Sequence, residues 1–364
     1  MPTSIPAENE DDENFYGDFL LGYRFVSVSG VETKYREDIN LESGPRLLNL
    51  NLHYKAEGSI KKIFDRLNIY VYNFGGDPFE TMAISIDKSE KFKFDYSRRK
   101  SAYFYQDNLS GGDMHHFNFE RIMDSGSFKI YLNKTSSLYM NFNLYNKKGQ
   151  SSTSFDINRD EFEFNKPINE SSREVSLGLD ISMKKISLVL EEKIQDYENT
   201  NNLFLPGFSL GEDPDPAASL NYFYLNQPYD FKSYSHTAKI KARPLSDLLL
   251  QGSIQLSKQD TNLSYAEGSG GIDYLDNNFS TMYQGEGDFQ RDIQLYDLDL
   301  TLLLGNRIAL IGAVRYYDFN QKGELTGDMA ESSQWNYNTF GFEGGLQYQA
   351  SSKLGITMGF RREA

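Results

Sequence analysis

Between residues 232 and 260 the chain reads KSYSHTAKIKARPLSDLLLQGSIQLSKQD, and its apolar and polar positions alternate. Ala238, Ile240 and Ala242 fall on one side and Lys239, Lys241 and Arg243 on the other, the period-two signature of a strand with one apolar face. Residues 244–247, Pro-Leu-Ser-Asp, predict a tight turn, because proline cannot donate to a ladder and Ser and Asp bond their own backbone. The return arm sets Leu248, Leu250, Ile254 and Leu256 against Gln251, Ser253 and Gln255. Arms of roughly ten residues are long enough to cross a bilayer as tilted strands.

The same unit recurs. Leu48, Leu50, Leu52 and Tyr54 alternate with Asn49, Asn51 and His53, and Phe92, Phe94 and Tyr96 with Lys93 and Asp95. Further hairpins are predicted over 127–146, 174–194, 288–319 and 335–360, and a first pair of strands over 15–29 and 31–41. Strands within 114–170 are not all placed by the pattern. Short turns at 87–90, 134–136, 183–185 and 305–306 contrast with long polar loops at 99–113, 196–230, 261–287 and 320–333. About 16 to 18 strands with connections sorted by length predict an antiparallel up-and-down barrel of the outer membrane, short turns inside and long loops outside. Tyr54, Tyr70, Tyr72, Tyr145, Tyr316, Tyr317, Tyr348 and Phe360 close their strands as candidate girdle residues, although strands favour aromatics in any setting.

Composition changes the picture in four ways. No apolar run approaches a spanning helix, which excludes helical membrane proteins and leaves barrels open, since only alternate strand residues face lipid. The absence of cysteine excludes disulfides, thiolate metal sites, iron–sulfur clusters and c-type haem attachment. A net charge of −15 argues against a nucleic-acid partner. Finally, residues 1–14, MPTSIPAENEDDEN, are acidic and lack the apolar core of a signal peptide, and the chain stops just after a strand. The expectation is a disordered lead over 1–14 and one barrel over 15–364, incomplete at both ends.

The succession KFKFDYSRRKSAYFY (91–105), SFKIYLNKTSSLYMNFNLYNKKG (127–149), FNKPINESSREVSLGLDISMKKISLVLEEKIQDYEN (164–199) and YSHTAKIKARPLSDLLLQGSIQLSKQD (234–260) resembles the MtrB/PioB family of outer-membrane β-barrels, which associate with multihaem cytochromes. The chain departs from the family in lacking the early cysteine pair of some members and in having fewer strands than full-length ones. The resemblance implies a large porin-like barrel that serves as a sheath. A periplasmic multihaem c-type cytochrome would occupy the lumen and meet an extracellular cytochrome for extracellular electron transfer, with all haem carried by the partner and no cofactor on this chain. Lys239, Lys241, Arg243, Gln251, Ser253 and Gln255 would then form part of the wall facing that partner; the same residues would equally line a water-filled pore. A substrate-permeating porin without a haem partner and a soluble or surface all-β binding protein are the alternative readings.

Candidate chemistry is sparse. His115 and His116 are adjacent, and neighbours on a strand point to opposite faces, so they read as a solvated loop edge rather than metal ligands. His53 and His236 stand alone. The acidic groups Glu212-Asp213-Asp215 and Glu286/Asp288 lack the ligand density of a calcium loop and read as a solvated outer surface. Arg98, Arg99 and Lys100 beside Tyr103 and Tyr105 read as a basic strand end, with a lipid phosphate site as the alternative. No Gly-x-Ser-x-Gly and no distinctive Ser, His and Asp spacing marks an enzyme, so no catalytic, cofactor-binding or metal-binding residue is assigned.

Overall fold

The computed structural model describes residues 14–106, 115–212, 218–328 and 330–364. It is all-β, with eighteen strands in one sheet whose pairings are all antiparallel. β1 (Phe15–Arg24), β2 (Gly44–Lys55), β3 (Arg66–Phe74), β4 (Phe79–Lys88), β5 (Phe92–Gln106), β6 (His116–Tyr131), β7 (Ser136–Ile157), β8 (Asp160–Ser182) and β9 (Ile186–Asn199) each pair with the next. Three short strands follow: β10 (Asn202–Phe204), β11 (Ser209–Leu210) and β12 (Ser219–Asn226). β13 (Tyr229–Leu245) returns to pair with β9, and the up-and-down order resumes through β14 (Leu248–Ile272), β15 (Asn278–Leu304), β16 (Ile308–Gly327), β17 (Glu331–Ser351) and β18 (Leu354–Glu363). Among the described residues β1 pairs with β2 alone and β18 with β17 alone.

The hairpin of β13 and β14 has the faces its alternation predicts. Ala238 stands opposite Ile254 and Ala242 opposite Leu250, while Lys239 faces Ser253 and Lys241 faces Gln251. Residues directly opposite in an antiparallel pair share a face, so the register sorts the sheet strand by strand. Leu190, Ala238, Ile254 and Tyr296 follow one another across four strands; Leu250, Leu300 and Gly312 do so lower down. The apolar side is a continuous outer belt. Leu177, Leu298, Met358 and Phe360 there are all more than half exposed, an arrangement suited to hydrocarbon rather than to water.

The strands outrun the bilayer. β15 has 27 residues, which at roughly 3.3 Å each comes to about 90 Å, whereas a spanning strand needs about ten. The long loops expected at 261–287 and 320–333 are therefore mostly ladder: β14 continues to Ile272, β15 starts at Asn278, and β16 and β17 pair from Leu325 opposite Glu331. Their glycines, asparagines and aspartates lack strand propensity, and beyond the membrane both faces can be polar, so the alternation fades while the backbone ladder continues. Residues 114–170 contain β6, β7 and the start of β8 for the same reason.

One further expectation is corrected. Residues 31–41 are not a strand; they contain helix α1 (Glu32–Asp38), where Lys34 lies 3.3 Å from Glu37 and from Asp38, pairs that only helical spacing brings together. Of the acidic lead, residues 1–13 lie outside the described residues, but the Asn14 carbonyl already accepts the Lys55 N–H at 2.8 Å and extends the β1–β2 pairing.

The segment between β9 and β13, read from the sequence as irregular, holds an orderly extension. β10 pairs with β12 as Asn202 opposite Asn226, continuing the register in which Asn199 faces Tyr229. Across the gap the Gln227 N–H donates to the Asn201 carbonyl at 3.0 Å, while Pro228 has no N–H to give. β12 likewise keeps the β13 register against β14, and Phe204 keeps that of β9 against β8. On this extension Phe162, Phe164, Leu203, Ala218, Leu220 and Phe223 form a compact buried core.

Candidate functional site: the inner wall

The face opposite the belt is polar and cross-linked by its own side chains. Beginning at β2, His53 Nδ1 and Asn68 Oδ1 lie 2.8 Å apart, Ser85 donates to Asp95 at 2.8 Å, and the hydroxyls of Ser97 and Ser125 are 2.7 Å apart. Asn141 donates to Ser176 at 3.2 Å and Asn143 to Glu174 at 2.9 Å; Lys193 lies 3.2 Å from the same carboxylate. Together with Ile69, Tyr70 and Ala83 these groups line a basin of about 640 Å³. Short hydroxyl and amide side chains bridging neighbouring strands leave few donors loose, so the wall is stiff and wettable.

The wall residues expected from the sequence are gathered next to this basin. Lys239, Lys241, Gln251 and Ser253 line a second groove of about 320 Å³ with Ser187, Val189 and Asp299. Ser253 donates to Asp297 at 3.2 Å and Arg315 Nε to the same carboxylate at 2.6 Å. Among the described residues, Lys239 and Lys241 have no carboxylate within 4 Å. Gln255 lies farther along the same face, opposite Thr237. Arg243 donates its backbone N–H to the Lys185 carbonyl at 2.7 Å, beside a break in the β13–β14 register.

The aromatic residues are divided between the faces. Tyr54, Tyr316, Tyr348 and Phe360 lie on the apolar side, opposite Phe15, Tyr296, Ile356 and Gly344 respectively. Tyr70 and Tyr72 instead face Asn51 and Asn49, Tyr145 donates to Glu170 at 3.3 Å, and Tyr317 packs on Tyr337 at 5.5 Å, all on the inner face. These four are not girdle residues. Inner aromatics also gather where the outer belt ends: Tyr197 stacks on Phe231 at 5.1 Å, and Trp335 packs on Phe319 at 5.7 Å.

Of the remaining candidates, the basic strand end is split. Arg98 and Lys100 point outward and pair with Asp124 at 3.5 Å and Glu120 at 2.8 Å, while Arg99, opposite Thr81, and Tyr103 point inward. His116 opens β6, its N–H donating to Ser152 at 2.9 Å, and His115 precedes the strand; no group of three or more potential metal ligands occurs among the described residues. Glu286 and Asp288 lie on the outer face beyond the belt, whereas Asp213 and Asp215 are outside the described residues. His236 is not alone. It bonds Glu192, directly opposite on β9, on the apolar side between Leu190 and Ile194. Glu192 interrupting the series Ile186, Leu188, Leu190, Ile194 is the signal that could have found this pair from the sequence.

No family model and no curated protein matches the chain. Solved structures do. The siderophore receptor PiuA from Acinetobacter baumannii is 9% identical over 79% of this chain and 52% of its own, with a TM-score of 0.51, so the chain spans about half the length of that receptor. A FadL homologue of Pseudomonas aeruginosa is 10% identical over 81% of each chain, with a TM-score of 0.29. The sheet order, the apolar outer belt and the likeness to PiuA are those of an antiparallel up-and-down β-barrel of the bacterial outer membrane.

Proposed function

We propose that this barrel is a sheath: it holds a multihaem c-type cytochrome across the outer membrane so that electrons pass between the periplasm and an extracellular acceptor or donor. The observation that carries the proposal is the inner wall, a continuous surface of Asn, Ser and paired charges that offers hydrogen bonds to a folded partner. The resemblance of 91–105, 127–149, 164–199 and 234–260 to the MtrB/PioB family supports it. Without cysteine the chain cannot attach c-type haem, so its work would be to exclude lipid from the haem protein and set its depth of insertion. No cofactor and no catalytic residue is assigned to this chain.

The unpaired Lys239 and Lys241 favour a second reading, a porin whose basic groove attracts anionic solutes through an open lumen. Gentle detergent extraction from the native outer membrane, with the co-purifying proteins stained for covalent haem, separates the two. A haem-positive partner in fixed ratio supports the sheath. A haem-free barrel that conducts ions in a planar bilayer overturns it and leaves the porin.

A further inference from the structure

We infer that the inner wall carries a binding site for an organic anion at the outer mouth of the lumen, built from Arg99, Arg121 and Lys147 and floored by Tyr103, Phe117 and Phe119. The first observation is cationic charge that is only partly compensated. Arg121 and Lys147 are directly opposite on β6 and β7, an apposition of like charges that opposes strand pairing unless an anion offsets it. Arg99 is opposite Met123, which places it diagonally from Arg121, about 7–8 Å away along the sheet and within common reach of two guanidinium side chains. Lys147 has one carboxylate, Glu170, at 3.5 Å. Arg121 Nε donates to the Ser101 hydroxyl at 3.2 Å, and among the described residues neither arginine has a carboxylate within 4 Å.

The second observation is the aromatic floor. Tyr103 packs on Phe117 at 5.7 Å and on Phe119 at 5.6 Å, and Lys147 sits 4.9 Å above the Phe119 ring. Yet Tyr103 and Phe117 remain 48% and 39% exposed, on the face directed to the lumen rather than to lipid. Two forked guanidinium groups suit the oxygens of a phosphate or carboxylate, and open ring faces beside them suit a flat apolar body. The ligand class is thus a small phosphorylated or carboxylated molecule with an aromatic or similarly flat moiety. The site does not depend on what fills the rest of the lumen.

The test uses the full chain in lipid nanodiscs, with 1-naphthyl phosphate and inorganic phosphate as probes in titration calorimetry. Naphthyl phosphate is expected to bind at least tenfold more tightly than phosphate. Arg99→Gln with Arg121→Gln should weaken it at least tenfold, and Tyr103→Leu with Phe117→Leu should reduce it to the level of phosphate. Lys148→Gln, on the outer face of β7, should change nothing. Equal affinity for the two probes overturns the site. So does unchanged binding in the Arg99→Gln variant alone, an exposed position whose replacement leaves the ladder intact.

Discussion

Arg46 Nε lies 3.2 Å from Asp77 Oδ1, and both side chains are almost wholly buried. Arg24, at the end of β1, reaches the other oxygen of the same carboxylate at 3.2 Å, so one aspartate in the β3–β4 turn ties down the ends of two strands. Removing it leaves a buried guanidinium with no counter-charge. Asp77→Ala is expected to lower the unfolding free energy by about 3–5 kcal/mol in denaturant titrations of the reconstituted barrel. Glu37→Ala, which removes one partner of the exposed Lys34 on α1, should cost far less. Equal losses would show that burial around Asp77 carries no special weight.

Leu250 and Leu300 face each other across β14 and β15 on the belt, with Gln251 and Thr301 next to them on the inner face. Aspartate at either leucine should destabilise insertion by roughly 2 kcal/mol or somewhat less, and at Gln251 or Thr301 by much less. Folding efficiency into vesicles, read as heat-modifiable migration, gives the comparison. Parity between the two faces would invert the assignment of lipid and lumen.

The Glu192–His236 pair lies inside the apolar series of its two strands. His236→Leu alone strands a carboxylate against lipid and is expected to cost about 1–2 kcal/mol, whereas replacing both residues by leucine should be neutral or stabilising. A double-mutant cycle on folding into vesicles measures the difference. If the double variant is the worse of the two, the pair does not face hydrocarbon.

Asp65, in the turn after β2, accepts from Lys88 Nζ at 2.7 Å and from the Ser89 N–H at 2.7 Å, and these bonds hold its pKa below the ordinary carboxylate value. A depressed folded-state pKa adds stability that is present above the unfolded value, about 3.9, and lost as pH falls through the folded one. The stability difference between wild type and Asp65→Asn should therefore be constant from neutral pH to about pH 5 and shrink below about pH 4. A difference that grows on acidification would contradict the sign.

The membrane portion was legible because one face must be apolar. At Lys239, Lys241, Gln251 and Ser253 alternation alone gave the correct face, since lipid on one side and water on the other leave no other choice. Alternation leaves Tyr70 and Tyr72 open, because an aromatic ring suits either face, and only their pairing with Asn51 and Asn49 decides. The strand ends at 261–287 carry no alternation to read, since both faces are free to be polar. Arg99, Arg121 and Lys147 are spread over three strands, and only the register brings them to one place.

The unbroken ladder across Asn201 and Gln227 has a consequence for altering the outer mouth. Strand faces repeat every second residue, so Phe223 and Leu203 reach their core only while both arms hold step with the membrane portion. An insertion of one residue in one arm would shift the pairing by a single place and turn those side chains to solvent, while the transmembrane strands stayed as they are. Two residues in each arm would restore both the parity and the pairing. The outer mouth can thus be lengthened or recut without touching the lipid-facing body, but only in even steps.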